Sequence, residues 1–178
     1  MKIFIDADGC PVRQIAVKIA KKYNIEIILV SDTSHIINEP DCENITVDKQ
    51  SDSADFAIVN RMSEGDCCIT QDYGLASMVL AKNCFAIHQN GFLYTSDNID
   101  RMLFERHISK KLRNAGKHSV KHKKRTAEND SRFEEFFDNF IKTVGVAHTH
   151  DFLKNKIPWH LPWYFDIKYK ISVNKPSP

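Results

Sequence analysis

The chain has 178 residues, of which 42% are hydrophobic and 27% charged, ordinary values for one globular domain that folds without disulfides or a structural metal. Fibrous and disordered classes are excluded, and no apolar run approaches the roughly 20 residues that a membrane-spanning helix needs. The net charge of +2 hides a division: residues 1 to 100 carry 8 Lys and Arg against 15 Asp and Glu, whereas residues 101 to 125 carry 10 against 1. An acidic body with a basic segment suits a polyanionic partner, because such a field acts on association rather than on fold.

Five cysteines, Cys10, Cys42, Cys67, Cys68 and Cys84, show neither a disulfide framework nor a zinc-ligand spacing, so reduced thiols are expected. Met1-Lys2 runs directly into Ile3-Phe4-Ile5 without a leader pattern, which makes the cytoplasm the expected compartment.

In chain order, Lys2 to Asp6 reads as a strand that closes on a carboxylate. Pro11 then opens a helix with Val12, Ile15, Ala16, Ile19, Ala20 and Tyr23 on one face. Ile25 to Val30 is a nearly continuous apolar strand, as buried parallel strands are, and Asn44 to Asp48 is a weaker third. A helix capped by Ser51 or Ser53 carries Ala54, Phe56, Ala57, Val59 and Met62 until Gly65 breaks it. Cys67 to Thr70 is the fourth strand, Leu75 to Leu80 a helix and Cys84 to His88 the fifth strand. A turn at Asn90-Gly91, a helix from about 97 to 113, a basic connector over 114–130 and a helix from about 131 to 143 complete a domain spanning 1–143. The tail, 144–178, is rich in aromatics and proline and is expected to pack on the body or on a second copy.

Alternation of strand and helix implies right-handed crossovers, hence an α/β three-layer sandwich with a mostly parallel five-stranded sheet. In such sheets the functional crevice lies beyond the carboxyl ends of the strands, where strand order reverses. With the order 3-2-1-4-5, Asp6 and Asp8 after the first strand would meet Asp72 after the fourth, and Asp52 and Asp55 share the first turn of a helix starting at the same edge. Aspartates at such places also cap helices and form turns, but Asp6 closes an apolar strand, where a cap has less use. Carboxylates gathered without partners repel strongly and call for a cation. All-oxygen donors favour Mg²⁺ or Mn²⁺, whose chemistry suits phosphodiester hydrolysis.

The segments Ile5-Asp6-Ala7-Asp8-Gly9-Cys10-Pro11-Val12, Val30-Ser31-Asp32-Thr33-Ser34-His35, Asp52-Ser53-Ala54-Asp55-Phe56-Ala57-Ile58-Val59, Thr70-Gln71-Asp72-Tyr73-Gly74-Leu75-Ala76 and Leu93-Tyr94-Thr95-Ser96-Asp97-Asn98-Ile99 resemble, in order, the motifs of the YaiI/YqxD family of bacterial proteins. That family is similar to PIN-like nuclease domains in fold and acidic-site arrangement. The resemblance implies that Asp6, Asp55 and Asp72 are the acidic core, helped by Asp8 and Asp52, and that the substrate is RNA. Asp97 stands where a fourth acid would be sought, yet Asp97-Asn98 suits a helix N-terminus better. The segment after Gly145 lies outside the resemblance.

Asp6, Asp8, Asp55 and Asp72 are therefore the expected catalytic and metal-binding residues. Arg13, His35, Lys117, Lys121, Lys123, Lys124 and Arg125 are the expected contacts to substrate. Two other readings remain open. Asp6-Ala7-Asp8-Gly9 also resembles the opening motif of haloacid-dehalogenase-type phosphatases, in which Asp6 would be the nucleophile. The chain could also be a nucleic-acid-binding module without activity. Cys10 is not expected to be a nucleophile, since no base is placed beside it.

Overall fold

The computed structural model describes residues 1–34, 37, 39–48, 52–114 and 124–145. His35, Lys117, Lys121, Lys123 and the tail beyond Gly145 lie outside the described residues.

Six strands form one sheet in the order β3-β2-β1-β4-β5-β6. Five are parallel: β1 (Ile3–Asp6), β2 (Ile27–Asp32), β3 (Glu43–Val47), β4 (Cys67–Ile69) and β5 (Phe85–His88). The sixth, β6 (Phe92–Leu93), pairs antiparallel with β5 across the Asn90-Gly91 turn, so the expectation of five strands is corrected to six. Two residues are too few to show an alternating pattern in a sequence. Gly91 has φ +74°, and a Cβ there would stand 3.0 Å from the Arg132 carbonyl oxygen, so the turn passes too close to a helix for a side chain.

The helices are α1 (Arg13–Lys22), α2 (Ser53–Arg61), α3 (Tyr73–Ala81), α4 (Ser96–Asn114) and α5 (Ala127–Phe140), the last continued by a π-type turn over Ile141–Gly145. Alternate strand residues feed two cores. Ile3, Ile5, Leu29 and Ile69 pack with α1 and α5, through Ala16, Ile19, Phe133, Phe137 and Phe140. Phe4, Ile28, Val30 and Cys68 pack with α2, α3 and α4, through Ile58, Leu75, Val79 and Ile99. The rings of Phe133, Phe137 and Phe140 stack along α5 at 5.4 and 6.4 Å between centroids, and fully burying each contributes about 1.5–3 kcal/mol.

Several boundaries differ from the sequence reading by a residue or more, those of β2 and α5 among them. The strand β2 starts at Ile27 and extends to Asp32, because the sheet continues to pair through Ser31 and Asp32 with Thr46 and Val47. The helix α5 begins at Ala127, inside the span expected to be connector. Its start is fixed by Asn129, whose Oδ1 accepts from the Thr126 backbone N–H at 3.0 Å. Among the described residues no helix is long and apolar enough to cross a membrane.

Candidate functional site

Strand order reverses between β1 and β4, and the acidic residues collect just beyond their carboxyl ends. Asp6 is the last residue of β1 and follows the alternation of Phe4, which puts it on the α2 and α3 side of the sheet. Asp55 sits in the first turn of α2, and Asp72 is the N-cap of α3. Asp52 precedes α2 in a left-handed conformation, φ 62°, and is exposed without capping through its side chain.

Thr70, buried at the end of β4, ties two of these acids together. Its hydroxyl donates to Asp6 Oδ2 at 2.9 Å and accepts from the Asp72 backbone N–H at 3.0 Å. The Thr70 carbonyl in turn accepts from the buried Tyr94 hydroxyl at 3.4 Å. Asp72 Oδ1 accepts from Gly74 N–H at 2.6 Å, the cap bond of α3, and faces Arg106 Nη1 of α4 at 3.5 Å. The Arg106 guanidinium also lies over the Tyr73 ring, 5.9 Å from its centre.

The charges acting on Asp6 and Asp55 are those of other carboxylates. Burial pushes the Asp6 carboxyl above the ordinary carboxylate range, the Thr70 hydroxyl pulls it back, and the charges of Asp8 and Asp72 raise it further. Asp55 is pushed up to about 6, first by burial and then by the charges of Asp6, Asp72 and Asp52. Carboxylates that raise one another's proton affinity share one field, although they come from three separate stretches of chain.

Asp8 stands apart, in a single 3₁₀ turn over Ala7–Gly9 after β1. Its Oδ2 accepts from the Asp32 backbone N–H at 2.9 Å, which fastens this turn to the end of β2. It lines a separate cleft of about 570 Å³ with Cys10, Arg13, Ile37, Gln71 and Gln89. Burial pushes the Cys10 thiol up to about 12, which agrees with its inert reading.

The basic residues divide. Lys124 is exposed. Arg125 does not point freely to solvent: Nε pairs with Asp130 at 2.5 Å, and Nη2 donates to the Gln89 and Asn129 carbonyls at 2.9 and 3.2 Å. Nη1 donates to Asn90 Oδ1 at 3.2 Å, so the guanidinium staples α5 to the β5–β6 turn. Asp97 lies in the first turn of α4, but the reciprocal cap is made by Thr95 and Asn98, through Asn98 Oδ1 to Thr95 N–H at 3.0 Å and Thr95 Oγ1 to Asn98 N–H at 3.3 Å.

Among the described residues no three His, Cys, Asp or Glu side chains stand close enough to encage a metal ion. The all-oxygen donor set nonetheless fits a hard cation, because Mg²⁺ keeps several waters and is usually held by one or two carboxylates together with substrate phosphates.

Thr70 and Arg106 were not found by sequence reasoning. A hydroxyl at the end of an apolar strand, two residues before an aspartate, was the signal for Thr70. Arg106 is 34 positions from Asp72 on an exposed helix face and carries no local signal.

The molecule is thus a mixed α/β protein with an acidic site at the switch point of a mostly parallel sheet. The chain belongs to the family described as "Uncharacterized BCR, YaiI/YqxD family", which matches residues 4–143. It is similar to the UPF0178 protein of Alkaliphilus oremlandii, 48% identical over 141 residues that cover 79% of this chain and 91% of that one. The UPF0178 protein of Ruminiclostridium cellulolyticum is 48% identical over 142 residues, covering 80% and 93%. That of Clostridium acetobutylicum is 47% identical over 143 residues, covering 79% and 97%. No solved structure matches.

Proposed function

We propose that the protein is a divalent-metal-dependent nuclease with a PIN-like domain, hydrolysing phosphodiester bonds of RNA. The observation that supports this most is the shared field of Asp6, Asp55 and Asp72 at the switch point, in which Asp6 and Asp55 are raised by burial and by neighbouring carboxylates. Such a group has negative charge to spare for a cation. A bound Mg²⁺ or Mn²⁺ would supply Lewis-acid stabilisation of the phosphoryl oxygens and a bound water more acidic than bulk water.

In this reading Asp6 and Asp72 would hold the principal ion and Asp55 would hold a second or orient the attacking water, while Asp8, which the sequence reading paired with Asp55, would act from its own turn through its charge on Asp6. Thr70 fixes the Asp6 carboxylate by donating to Oδ2, leaving the other oxygen for the site. Arg106 faces Asp72 and is half exposed, so it can turn to the scissile phosphate. Arg101, Arg106 and Lys111 on the exposed side of α4 draw in the strand, together with Lys117, Lys121, Lys123 and Lys124, which follow in the sequence. Arg13 would contact substrate near Asp8, and His35, outside the described residues, is a further expected contact. The preference for RNA rests on the likeness to PIN-like domains.

The test is cleavage of end-labelled single-stranded RNA and matched DNA with Mn²⁺, Mg²⁺ or EDTA. The parent protein is expected to cut RNA only with the ion. Asp6→Asn is expected to lower the rate more than about a hundredfold, the loss of a few kcal/mol of transition-state stabilisation, with RNA affinity retained. Cleavage that survives EDTA or Asp6→Asn would overturn the reading. Salt-dependent RNA binding without cleavage under either metal would make the chain a binding module. A beryllofluoride adduct on Asp6 without cleavage would make it a phosphatase.

A further inference from the structure

The second half of α4 leaves the core. Ile99 is buried and Met102 and Leu103 pack beside it, but from Phe104 to Leu112 every side chain described is exposed. Three of these are large and apolar: Phe104 is 65%, Ile108 38% and Leu112 46% exposed. They recur every fourth residue and so line one stripe of the helix. Arg106, which reaches Asp72 and the Tyr73 ring, lies about 160° around the axis from Phe104 at 3.6 residues per turn. The stripe therefore faces away from the acidic site. A helical segment this short owes its stability to packing of such an apolar face, which calls for a partner surface.

Charge along α4 is divided end to end. Ser96 to Glu105 holds Asp97, Asp100 and Glu105 against Arg101, whereas Arg106 to Asn114 holds Arg106, Lys110, Lys111 and Arg113 and no acid. A polyanion laid along the whole stripe would be repelled by the acidic half, and a polycation by the basic half. A second α4 laid antiparallel sets each basic half against an acidic one. The same geometry serves the apolar residues. With Phe104 of one protomer on the partner's Ile108, the two-fold axis passes beside Glu105 and Arg106, and Lys111 comes opposite the partner's Asp100 on the same flank of the seam.

We propose that α4 pairs antiparallel with α4 of a second copy of this chain, through Phe104, Ile108 and Leu112, with Lys111 of each protomer facing the partner's Asp100. The patch is self-complementary, so the contact closes as a two-fold dimer. One helix pair is at the small end of specific interfaces, so the dimer is reversible rather than permanent. Arg106 and the acidic site lie outside the seam, and the pairing does not depend on the nuclease reading. Lys111 stays at the wet rim, where an ion pair is exchangeable and a nucleic acid can still be met.

The test is sedimentation velocity of the full chain from micromolar to near-millimolar concentration, with hydrogen exchange of the α4 amides in parallel. A monomer–dimer equilibrium is expected, with protection over Phe104–Leu112 that rises with concentration. Phe104→Glu is expected to raise the dissociation constant at least about thirtyfold, as loss of a central aromatic anchor does. Asp100→Lys and Lys111→Asp are each expected to weaken self-association by about tenfold, because each places two like-charged pairs in the homodimer. Mixed together, these two variants regain opposite charges at both positions and are expected to associate as tightly as the parent, a recovery that a misfolded variant would not show. A parent protein that stays monomeric throughout, Phe104→Glu that dimerises as the parent does, or a mixture no tighter than its components would overturn the proposal. Protection of the stripe in a monomer at every concentration would assign it to another segment of the same chain. Loss of RNA binding by Phe104→Glu with a monomeric parent would assign it to nucleic acid. Either result also overturns the dimer.

Discussion

Asp138 and Asp55 both lie on helices that pack against the sheet, yet their surroundings push them in opposite directions. Asp138 on α5 is met by Lys142 Nζ at 2.6 Å, Lys22 Nζ at 2.8 Å and the Tyr23 hydroxyl at 2.9 Å, and these hydrogen bonds hold its carboxyl well below the usual carboxylate range. Asp55 on α2 faces burial and three other carboxylates and is pushed up to about 6. On the α1–α5 face opposite charges are matched, as they are where only folding is at stake. At the carboxyl ends of β1 and β4 like charges are gathered, which lowers stability there and makes it the candidate site.

The contrast can be broken at several points. The largest expected effect lies in the core beneath the paired face. Phe137→Ala removes a fully buried ring stacked between Phe133 and Phe140 and should cost about 3–5 kcal/mol in urea unfolding. A loss below about 1 kcal/mol would show that α5 is not packed as described.

Gly91→Ala comes next. It forces a Cβ into a left-handed turn and to within 3.0 Å of the Arg132 carbonyl, and should cost more than about 1 kcal/mol by the same assay.

Asp55→Asn should have the opposite sign. A folded-state value of about 6 against an ordinary 3.8 means that the folded protein holds the proton more tightly. Stability therefore falls as pH rises from about 4 to about 6, and the penalty is complete above that window. Removing the charge should stabilise the protein by about 1 kcal/mol at pH 8, after discounting for solvent screening, and by little at pH 4. Thermal melts at the two pH values check both sign and window.

The smallest effect is expected at Asp138→Asn. Its depressed value stabilises the fold above about pH 4, and the contribution is lost as pH falls further. For a surface cluster this is under about 1 kcal/mol at pH 7. A loss as large as that of Phe137→Ala would mean that the paired face carries more than solubility.

Much of the sheet was legible because its strands are short apolar runs ended by polar residues, and because helices alternate with them. The reversal of order at β1 and β4 then brings together Asp6, Asp55 and Asp72, whose places in the motifs are local. What stayed hidden depended on distance or on brevity. Phe92–Leu93 is too short to announce a strand. The start of α5 was obscured by the basic run, although Thr126 and Asn129 cap it. Arg125 read as a free cation because its partners Gln89 and Asn90 are more than thirty residues away. The chain of hydrogen bonds from Gln89 through Gln71 to the Gly9 carbonyl joins three loops, and nothing in any one of them foretells it.

The most direct measurement follows the carboxyl carbon resonances of Asp6, Asp55 and Asp72 through a pH titration, with and without Mg²⁺. Asp55 should titrate near 6, Asp6 should also lie above the ordinary carboxylate value, and added Mg²⁺ should pull both down together. Ordinary, independent titrations near 3.8 that ignore the ion would mean that these acids share no field, and the account of the site would fail.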